Sequence, residues 1–494
     1  LKAISSTTPF ELNEKLQYLT TDMNAPNHFP IGKIVSSNLL NCLAIFLLMA
    51  ACNQLLGRQL SEPQGSMEVG VARIDITPDG PIRLAGYGAR PKSEADQIIH
   101  RLSAKALAFG NDTQGTSLLI TVDLVGIPGH ITEKLANQLS EKAGLHPAQL
   151  VICASHTHGG PEVGNLLNIL QYREETFSDS LLALNHLVHI AQYTEQLSQK
   201  LEEVAMEALE NREPSFVAWG QGEVGFAKNR RTEGGPVDTS LPLMRITNLS
   251  GDLKAILFNY ACHGTTLLGE VNQLHGDWMT EAQEMIESNH PGALAMVAIG
   301  CGADADPEPR GEMEHISLHA RAISEEVDRL LDAPLQPLTQ VPVGKIKWID
   351  LPFARVPTVP ELVIQTGDKT VKGYYARLAL DRLARGQEIP AVLSYPVQTW
   401  TFGDELAMVN LAGEVVVDYS LRLKKELGAD RLWINAYAND VPCYIASRRV
   451  IREGGYEAES SMYYYDKPSP FSAEVEDLII HTVHGLLPPT FIKK

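Results

Sequence analysis

Positive charge is scarce in this sequence. Forty-one Lys and Arg stand against 60 Asp and Glu, giving a formal net charge of −19. That balance excludes a phosphate-backbone partner, because nucleic-acid binders concentrate Lys and Arg. Cysteine is sparse too, six in 494 residues, too thin for a fold stapled by disulfides. A long hydrophobic run is missing: the most apolar segment, Leu39 to Ala51, is too short to span a bilayer. No internal repeat and no low-complexity tract occurs. What is there is an ordinary globular composition, 44% hydrophobic and 20% charged, with ample material for a core.

The N-terminal segment reads as an export signal. Lys33 precedes the apolar run, and small residues lead into Cys52, the layout of a signal-peptide core. Leu48-Met49-Ala50-Ala51-Cys52 resembles a bacterial lipobox, with Met49 where a smaller residue is usual. The expectation is an extension plus signal peptide over residues 1–51, with a plausible start at Met23, and a lipoprotein tether over 52–67. The protein is then an exported bacterial lipoprotein, periplasmic or outer-membrane-anchored, held to a membrane by a lipid on Cys52. A buried N-terminal helix is the alternative. Export permits an oxidising compartment, in which Cys153, Cys262, Cys301 and Cys443 could pair. Each lies close to one of the motifs below, which favours packing around one site over a disulfide framework.

From Val69 onward, short apolar strands alternate with amphipathic helices. VGVARIDIT, SLLITVDLVGI, VICASHTH, KAILFNYACH, ALAMVAIGCG and ELAMVNLAGEVV read as strands. Helical spacing is expected near 131–143, 191–211, 278–289, 313–331 and 415–427. The fold class predicted is α/β, one large catalytic domain over 68–490 with mixed β-sheets layered with helices. Pro-rich stretches at 333–343 and 352–360 read as a crossover between two halves.

Polar groups at the carboxyl ends of strands gather around active sites in α/β sheets. Four such ends carry SHTHGG, NYACHGTT, GCGADADPEP and LAGE. Strand alternation puts His156 and His158 on one face of an extended chain, which suits either a polar strand end or half of a metal site. The pair alone does not decide. Glu414 sits in an apolar run, where an unpaired carboxylate is costly, and a metal partner is the simpler account.

In order and spacing, VGVARIDITPDGPIRLAGYG, SHTHGGP, NYACHGTT, LAGEVVVDYS, NAYANDVPCYIASRRV and GGYEAE resemble the catalytic domain of the neutral (non-lysosomal) ceramidase family. The resemblance covers roughly residues 68–490, and the family's C-terminal immunoglobulin-like domain is missing from it. It implies a zinc-dependent amidohydrolase acting on a small-molecule or lipid amide. Its zinc ligands map onto His156, His263, Glu414 and Tyr444, and its catalytic residues onto His158, Arg230 and Tyr456. In that scheme His158 exchanges protons, while Arg230 and Tyr456 help hold the tetrahedral oxyanion. Arg231 stands ready to share the role of Arg230. Asp277 is expected behind the ligands, His100 is read as structural, and His275 is a candidate additional ligand.

Two departures bear on the substrate. The family's loop serine is replaced by Asp306, which excludes a serine nucleophile and leaves the metal-water route intact. Asp304, Asp306 and Glu308 are expected to bring negative charge to the pocket. The family's Gly/Leu-rich insertion is absent, and KTVKGYYARLALDRLARGQEIP reads instead as an amphipathic helix with a basic face. A ceramide-like or a more polar N-acyl substrate therefore both stand. The alternatives are a zinc esterase or deacetylase acting on a carbohydrate, and a surface lipoprotein that binds an acylated ligand without cleaving it.

Overall fold

Alternating burial organises the chain into two stacked sheets. The computed structural model describes residues 64–88, 90, 93–167 and 180–492, with no side-chain description for 180–184. The apolar segment, Cys52 and the tether as far as Pro63 lie outside the described residues. One compact unit spans Glu62–Lys494.

The strands of its first half are β1 (Met67–Asp75), β2 (Ser103–Asn111), β3 (Gly115–Val122), β4 (Leu150–Ala154) and β5 (Glu213–Glu223). After them come β6 (Ala227–Asn229), β7 (Ser240–Asn248), β8 (Leu253–Tyr260) and β9 (Leu294–Ile299). The later strands are β10 (Ala305–Pro307), β11 (Gln336–Leu338), β12 (Val343–Pro352) and β13 (Val392–Phe402). Last are β14 (Leu406–Leu411), β15 (Glu414–Val415), β16 (Leu432–Asn435) and β17 (Tyr444–Ile445). A nine-stranded mixed sheet runs β4-β3-β2-β1-β5-β7-β8-β9, with β11 added against β5, and a four-stranded sheet runs β12-β13-β14-β16.

Leu107, Leu119, Val151, Val217, Met244, Leu257 and Met296 from the large sheet share a core with Trp400, Phe402, Met408 and Trp433 from the small one. Their immediate neighbours in sequence, among them Ala106, Ile120, Ile152, Ile256 and Val297, point the other way. Period-two alternation buried on both faces is the signature of a sheet sandwiched between layers.

The outer layers are helical. Those over the large sheet are α1 (Gly129–Ala143), α2 (Ser180–Glu210), α3 (Asp277–Asn289) and α4 (Met313–Leu331). Helix α4 shows the logic: Ile316, Ala320, Ile323, Val327 and Leu330 are buried on one stripe, at helical spacing. A short pair, α5 (Val359–Gln365) and α6 (Val371–Ala384), forms an excursion between β12 and β13. Helix α7 (Val417–Leu427) follows, then α8 (Arg448–Glu453), α9 (Ser461–Tyr464) and α10 (Val475–Leu486). Helices α7 and α10 pack Tyr419, Leu423, Ile479 and Val483 with the outer face of the small sheet. The mixed α/β expectation is met, and the five helices expected from sequence all form.

The Pro-rich stretches differ in role. The first carries the chain from β11 in the large sheet to β12 in the small one, a true crossover. The second is no crossover; it leads from β12 into the α5–α6 excursion of the same sheet.

The large sheet curls until its edge strands β4 and β9 approach each other. The segment after β16 closes the gap: Ala436 N–H donates to Ile299 O (2.8 Å) and Asn439 N–H to Ile152 O (2.8 Å). Both edges are thus covered, as exposed strand edges require, and the carboxyl ends of β4, β9 and β16 converge. The candidate site residues lie at this seam.

Candidate metal centre

The chain leaves β4 at Ala154, and His156 then adopts a left-handed conformation with φ 55°. A non-glycine residue there is strained and is held only by its surroundings. This corrects the extended-chain reading of SHTH: the two imidazoles meet through a backbone kink. The ring of Tyr437, itself at φ 52°, stacks on His156 at 4.2 Å and 28°. His263 follows the end of β8 at Tyr260, and an isolated bridge pairs Thr157 with Gly264. Glu414 and Tyr444 open β15 and β17, which lie parallel with these two residues in register.

Each ligand candidate is aimed. His156 Nδ1–H donates to Val125 O (2.6 Å) and His263 Nδ1–H to Gly302 O (2.9 Å). With the proton on Nδ1, both Nε2 atoms carry lone pairs, the form in which imidazole binds metals. Glu414 Oε2 lies 3.2 Å from His156 Nε2 and 3.3 Å from His263 Nε2, and no N–H is directed at it. The other carboxylate oxygen, Oε1, accepts a hydrogen bond from the Tyr465 hydroxyl. Tyr444 Oη lies 3.5 Å from His263 Nε2 and accepts from Arg230 at 3.0 Å.

Three buried acceptor atoms crowded this closely repel one another unless a cation sits among them. The spacing suits one. Ligands about 2.0–2.1 Å from a tetrahedral zinc lie about 3.3 Å apart. Imidazole and carboxylate donors are also what zinc accepts. Burial alone would raise the Glu414 carboxyl; positive charge beside it, on the His156 and His263 imidazoles or on an ion among the three, pulls it well below the carboxylate range. Burial, with Arg230 adding to it, pushes the His263 imidazole down. The Tyr444 phenol is pushed well up by burial and by Glu414; a bound cation reverses that balance.

His158 belongs to the same buried cluster: His156, His158 and His263 each offer a ring nitrogen within 4.8 Å of the others. Its Nε2 lies 3.2 Å from His156 Nε2. Unlike the other two, its Nδ1 has no hydrogen-bond partner. Its ring packs edge-on against Tyr87 at 4.7 Å. Gly86, at φ 95°, lies so close that a Cβ there would meet His158 Nδ1 at 2.5 Å, a place only glycine fills. Burial, then the neighbouring His156 and His263 imidazoles, push His158 well down, which favours its neutral form.

The centre opens into a cavity of ≈ 700 Å³ whose wall includes His158, Tyr87, Arg230, Tyr444 and Tyr456. Arg230 donates through Nε to Glu457 (2.8 Å), through Nη1 to Asp306 (3.3 Å) and through Nη2 to Tyr444 (3.0 Å). Three of its five N–H groups are thereby engaged, and two are left for the cavity. Burial alone would lower the guanidinium, but Tyr444, Asp306 and Glu457 together hold it well above its usual value. Tyr456 stands beside it, with the Arg230 guanidinium carbon 5.7 Å from its ring centre. Arg231 instead pins the neighbouring loop, donating to Glu457 and to Gly454 O.

The acidic triplet does not charge the cavity as expected. Asp304 is buried and accepts from Val417 N (2.9 Å) at the start of α7 and from Asn229 Nδ2 (3.1 Å). Glu308 is exposed and lies off the cavity wall. Asp306 does line it, but Arg230 and Arg310 both answer its charge. The wall carries Arg230, Arg231 and Arg310 against Asp306, Glu453 and Glu457, polar and balanced.

The remaining candidates sit behind the centre. Asp277 accepts from Thr266 N (2.9 Å) and Leu267 N (3.3 Å), bracing the loop after His263. His275 lies outside the imidazole cluster, under Gly159, with burial driving its imidazole down to about 3. His100 faces Glu281 at 3.8 Å. Cys153, Cys262, Cys301 and Cys443 are all free and buried. Tyr437 and Tyr465 escaped the sequence reading; neither the Tyr463-Tyr464-Tyr465 run nor the spacing marks which tyrosine reaches Glu414.

Tyr465→Phe removes the hydroxyl that fixes Glu414 and leaves the ring in place. Orienting hydrogen bonds of this kind change metal affinity about 10–100-fold when lost. Chelator competition on the variant is expected to show a drop in that range with the melting temperature little changed; unaltered affinity would remove Tyr465 from the site.

No family model matches the sequence, and a search of curated proteins finds no match either. Solved structures do match. A ceramidase complexed with C2 superposes with a TM-score of 0.66 at 15% identity, over 87% of this chain and 76% of that one. The neutral ceramidase from Pseudomonas aeruginosa gives 0.64 at 16% identity, over 86% and 74%. Likeness at this level of identity speaks for architecture, and the architecture of this chain is the neutral ceramidase fold.

Proposed function

We propose that the protein is a zinc-dependent amidohydrolase cleaving an N-acyl amide, with His156, His263, Glu414 and Tyr444 holding the ion. One observation carries this reading: the buried Glu414 Oε2 lies 3.2 Å and 3.3 Å from the Nε2 atoms of His156 and His263 with no hydrogen-bond partner of its own, beside an open cavity. A zinc ion bound there supplies Lewis acidity to a scissile carbonyl and lowers the pKa of a water to roughly 7.

The chain's own groups do the rest. His158, neutral and unanchored at Nδ1, takes the proton of the attacking water and returns it to the nitrogen of the leaving amine as the C–N bond breaks. The Tyr456 hydroxyl and the two cavity-facing N–H groups of Arg230 donate to the developing oxyanion. Products are a carboxylic acid and an amine. Asp306, tied to two arginines, has no part in a covalent step. The polar, charge-balanced wall suits a substrate whose amine side carries hydroxyl or other polar groups. We assign the protein to an exported lipoprotein, as the segment before Cys52 suggests.

The test is a parallel screen of ceramides, polar N-acyl amines and matched esters, with metal analysis of the same sample. The reading predicts amide cleavage that tracks zinc content. Ester-only turnover favours a deacetylase, and stoichiometric zinc without hydrolysis of any member favours a binding protein.

A further inference from the structure

His158 is held differently from its two neighbours. His156 and His263 are aimed through their rings, each by an Nδ1–H bond to a carbonyl, whereas His158 Nδ1 has no partner. A group that handles protons beside an ion still needs a fixed place, since a shift of about 1 Å can cost about a hundredfold in rate. The hold on His158 lies in its main chain. Its N–H donates to Gly264 O (3.1 Å), and its carbonyl accepts from the guanidinium of Arg90.

Arg90 stands in the loop between β1 and β2 and is 7% exposed. Its guanidinium reaches three carbonyls: Nη1–H donates to Val271 O (2.7 Å), and Nη2 to both Ala85 O (3.4 Å) and His158 O. The same guanidinium lies 5.2 Å from the centre of the Tyr87 ring, the ring that packs edge-on against His158. Tyr87 is fixed at its far end, where its hydroxyl donates to Leu267 O (2.7 Å). One planar fork thus ties together the β1–β2 loop, the loop after His263 and the His158 peptide. A lysine ammonium does not reproduce that span. Burial lowers the guanidinium to about 10, so its charge persists at neutral pH and its bonds are of the charge-assisted kind.

We propose that Arg90 is a positioning residue for His158, setting the imidazole through the His158 carbonyl and the Tyr87 ring. Arg90 is absent from the wall of the catalytic cavity, and none of its bonds goes to His156, His263, Glu414 or Tyr444. It therefore acts on neither substrate nor ion directly. Losing it leaves the ion in place and frees the ring, so metal binding and proton handling separate. The effect on rate rests on the amidohydrolase reading; the effect on the place of His158 does not.

The experiment compares the zinc-loaded full chain with Arg90→Ala, Arg90→Lys, His158→Ala and the double variant Arg90→Ala with His158→Ala. Arg90→Ala is expected to keep its zinc and the parent's KM while kcat falls about 10–100-fold, with Arg90→Lys falling less. Millimolar guanidinium, which fits the vacated fork, should restore the kcat of Arg90→Ala about fivefold or more and leave His158→Ala unmoved. The double variant should be no slower than His158→Ala alone, because Arg90 works only through that ring. A second readout needs no turnover. In magnetic-resonance spectra of isotope-labelled imidazoles, the His158 signal is identified by its loss in His158→Ala. It should be single in the parent and broadened or doubled in Arg90→Ala. Should Arg90→Ala not fold, Arg90→Lys, alone and with His158→Ala, takes its place in every comparison. Parental kcat with a parental His158 signal overturns the proposal, as does loss of zinc, or a double variant slower than His158→Ala by the full Arg90 factor. A parent that binds zinc and hydrolyses no N-acyl amide sinks the amidohydrolase reading, and the His158 signal then decides on Arg90.

Discussion

On the amidohydrolase reading, His156→Ala is expected to yield a folded chain that retains no stoichiometric zinc and turns over amides at least about a thousandfold more slowly. The metal's Lewis acidity is worth several kcal/mol of barrier, and about 1.4 kcal/mol is a factor of ten. Removing His156 also strips Glu414 Oε2 of one of its two imidazole neighbours, so the remaining donors no longer close around an ion. His158→Ala is the informative partner. Its Nδ1 is unanchored, so the zinc content should persist while the rate falls about 10²–10⁴-fold, the worth of a positioned acid–base group. Metal analysis and single-substrate kinetics on the two variants separate the roles. Equal zinc loss in both would make His158 a ligand, and retained zinc and rate in His156→Ala would end the assignment.

Arg230→Met is expected to lower stability by about 2–4 kcal/mol, the cost of leaving buried charges without their partner. The guanidinium joins three elements: it bonds Glu457 after α8, Asp306 on β10 and Tyr444 on β17. Its side chain is 20% exposed, so solvent repairs little of the loss. Asp306 and Glu457 keep Arg310 and Arg231, which holds the cost below that of an isolated buried charge. Adding Glu457→Gln to Arg230→Met should therefore cost less than the sum of the single changes by about 1 kcal/mol or more. Chemical denaturation of the two singles and the double measures this; strict additivity would show that Arg230 and Glu457 do not act as a pair.

The strand ends that build the centre were legible because a polar group closing an apolar run breaks the local pattern: SHTH after VICA, CH after LFNY, Glu414 after LAG. Helices were legible where a buried stripe recurs at helical spacing, as in α4. Several features were not. The left-handed turn at His156 is imposed by tertiary contacts, the Tyr437 stack and the Val125 carbonyl, which no local propensity records. Strands β2, β5, β7, β12, β13 and β16 were among those unremarked, and β12 shows one reason: it is an edge strand in which Leu351 is the one buried residue, so it carries no apolar run. Tyr465 reaches Glu414 across 51 positions, a contact that spacing cannot reveal. The acidic loop misled because Asp304, Asp306 and Glu308 look equivalent in sequence. In the fold one caps a helix, one is paired and one faces solvent.

Zinc K-edge absorption on the purified chain tests the central claim most directly. The account predicts one zinc per chain ringed by nitrogen and oxygen at about 2.0–2.1 Å, with imidazole scattering and no sulfur shell near 2.3 Å. A chain that binds no zinc when the metal is supplied, or one whose zinc is held by the sulfur of Cys153, Cys262, Cys301 or Cys443, contradicts it.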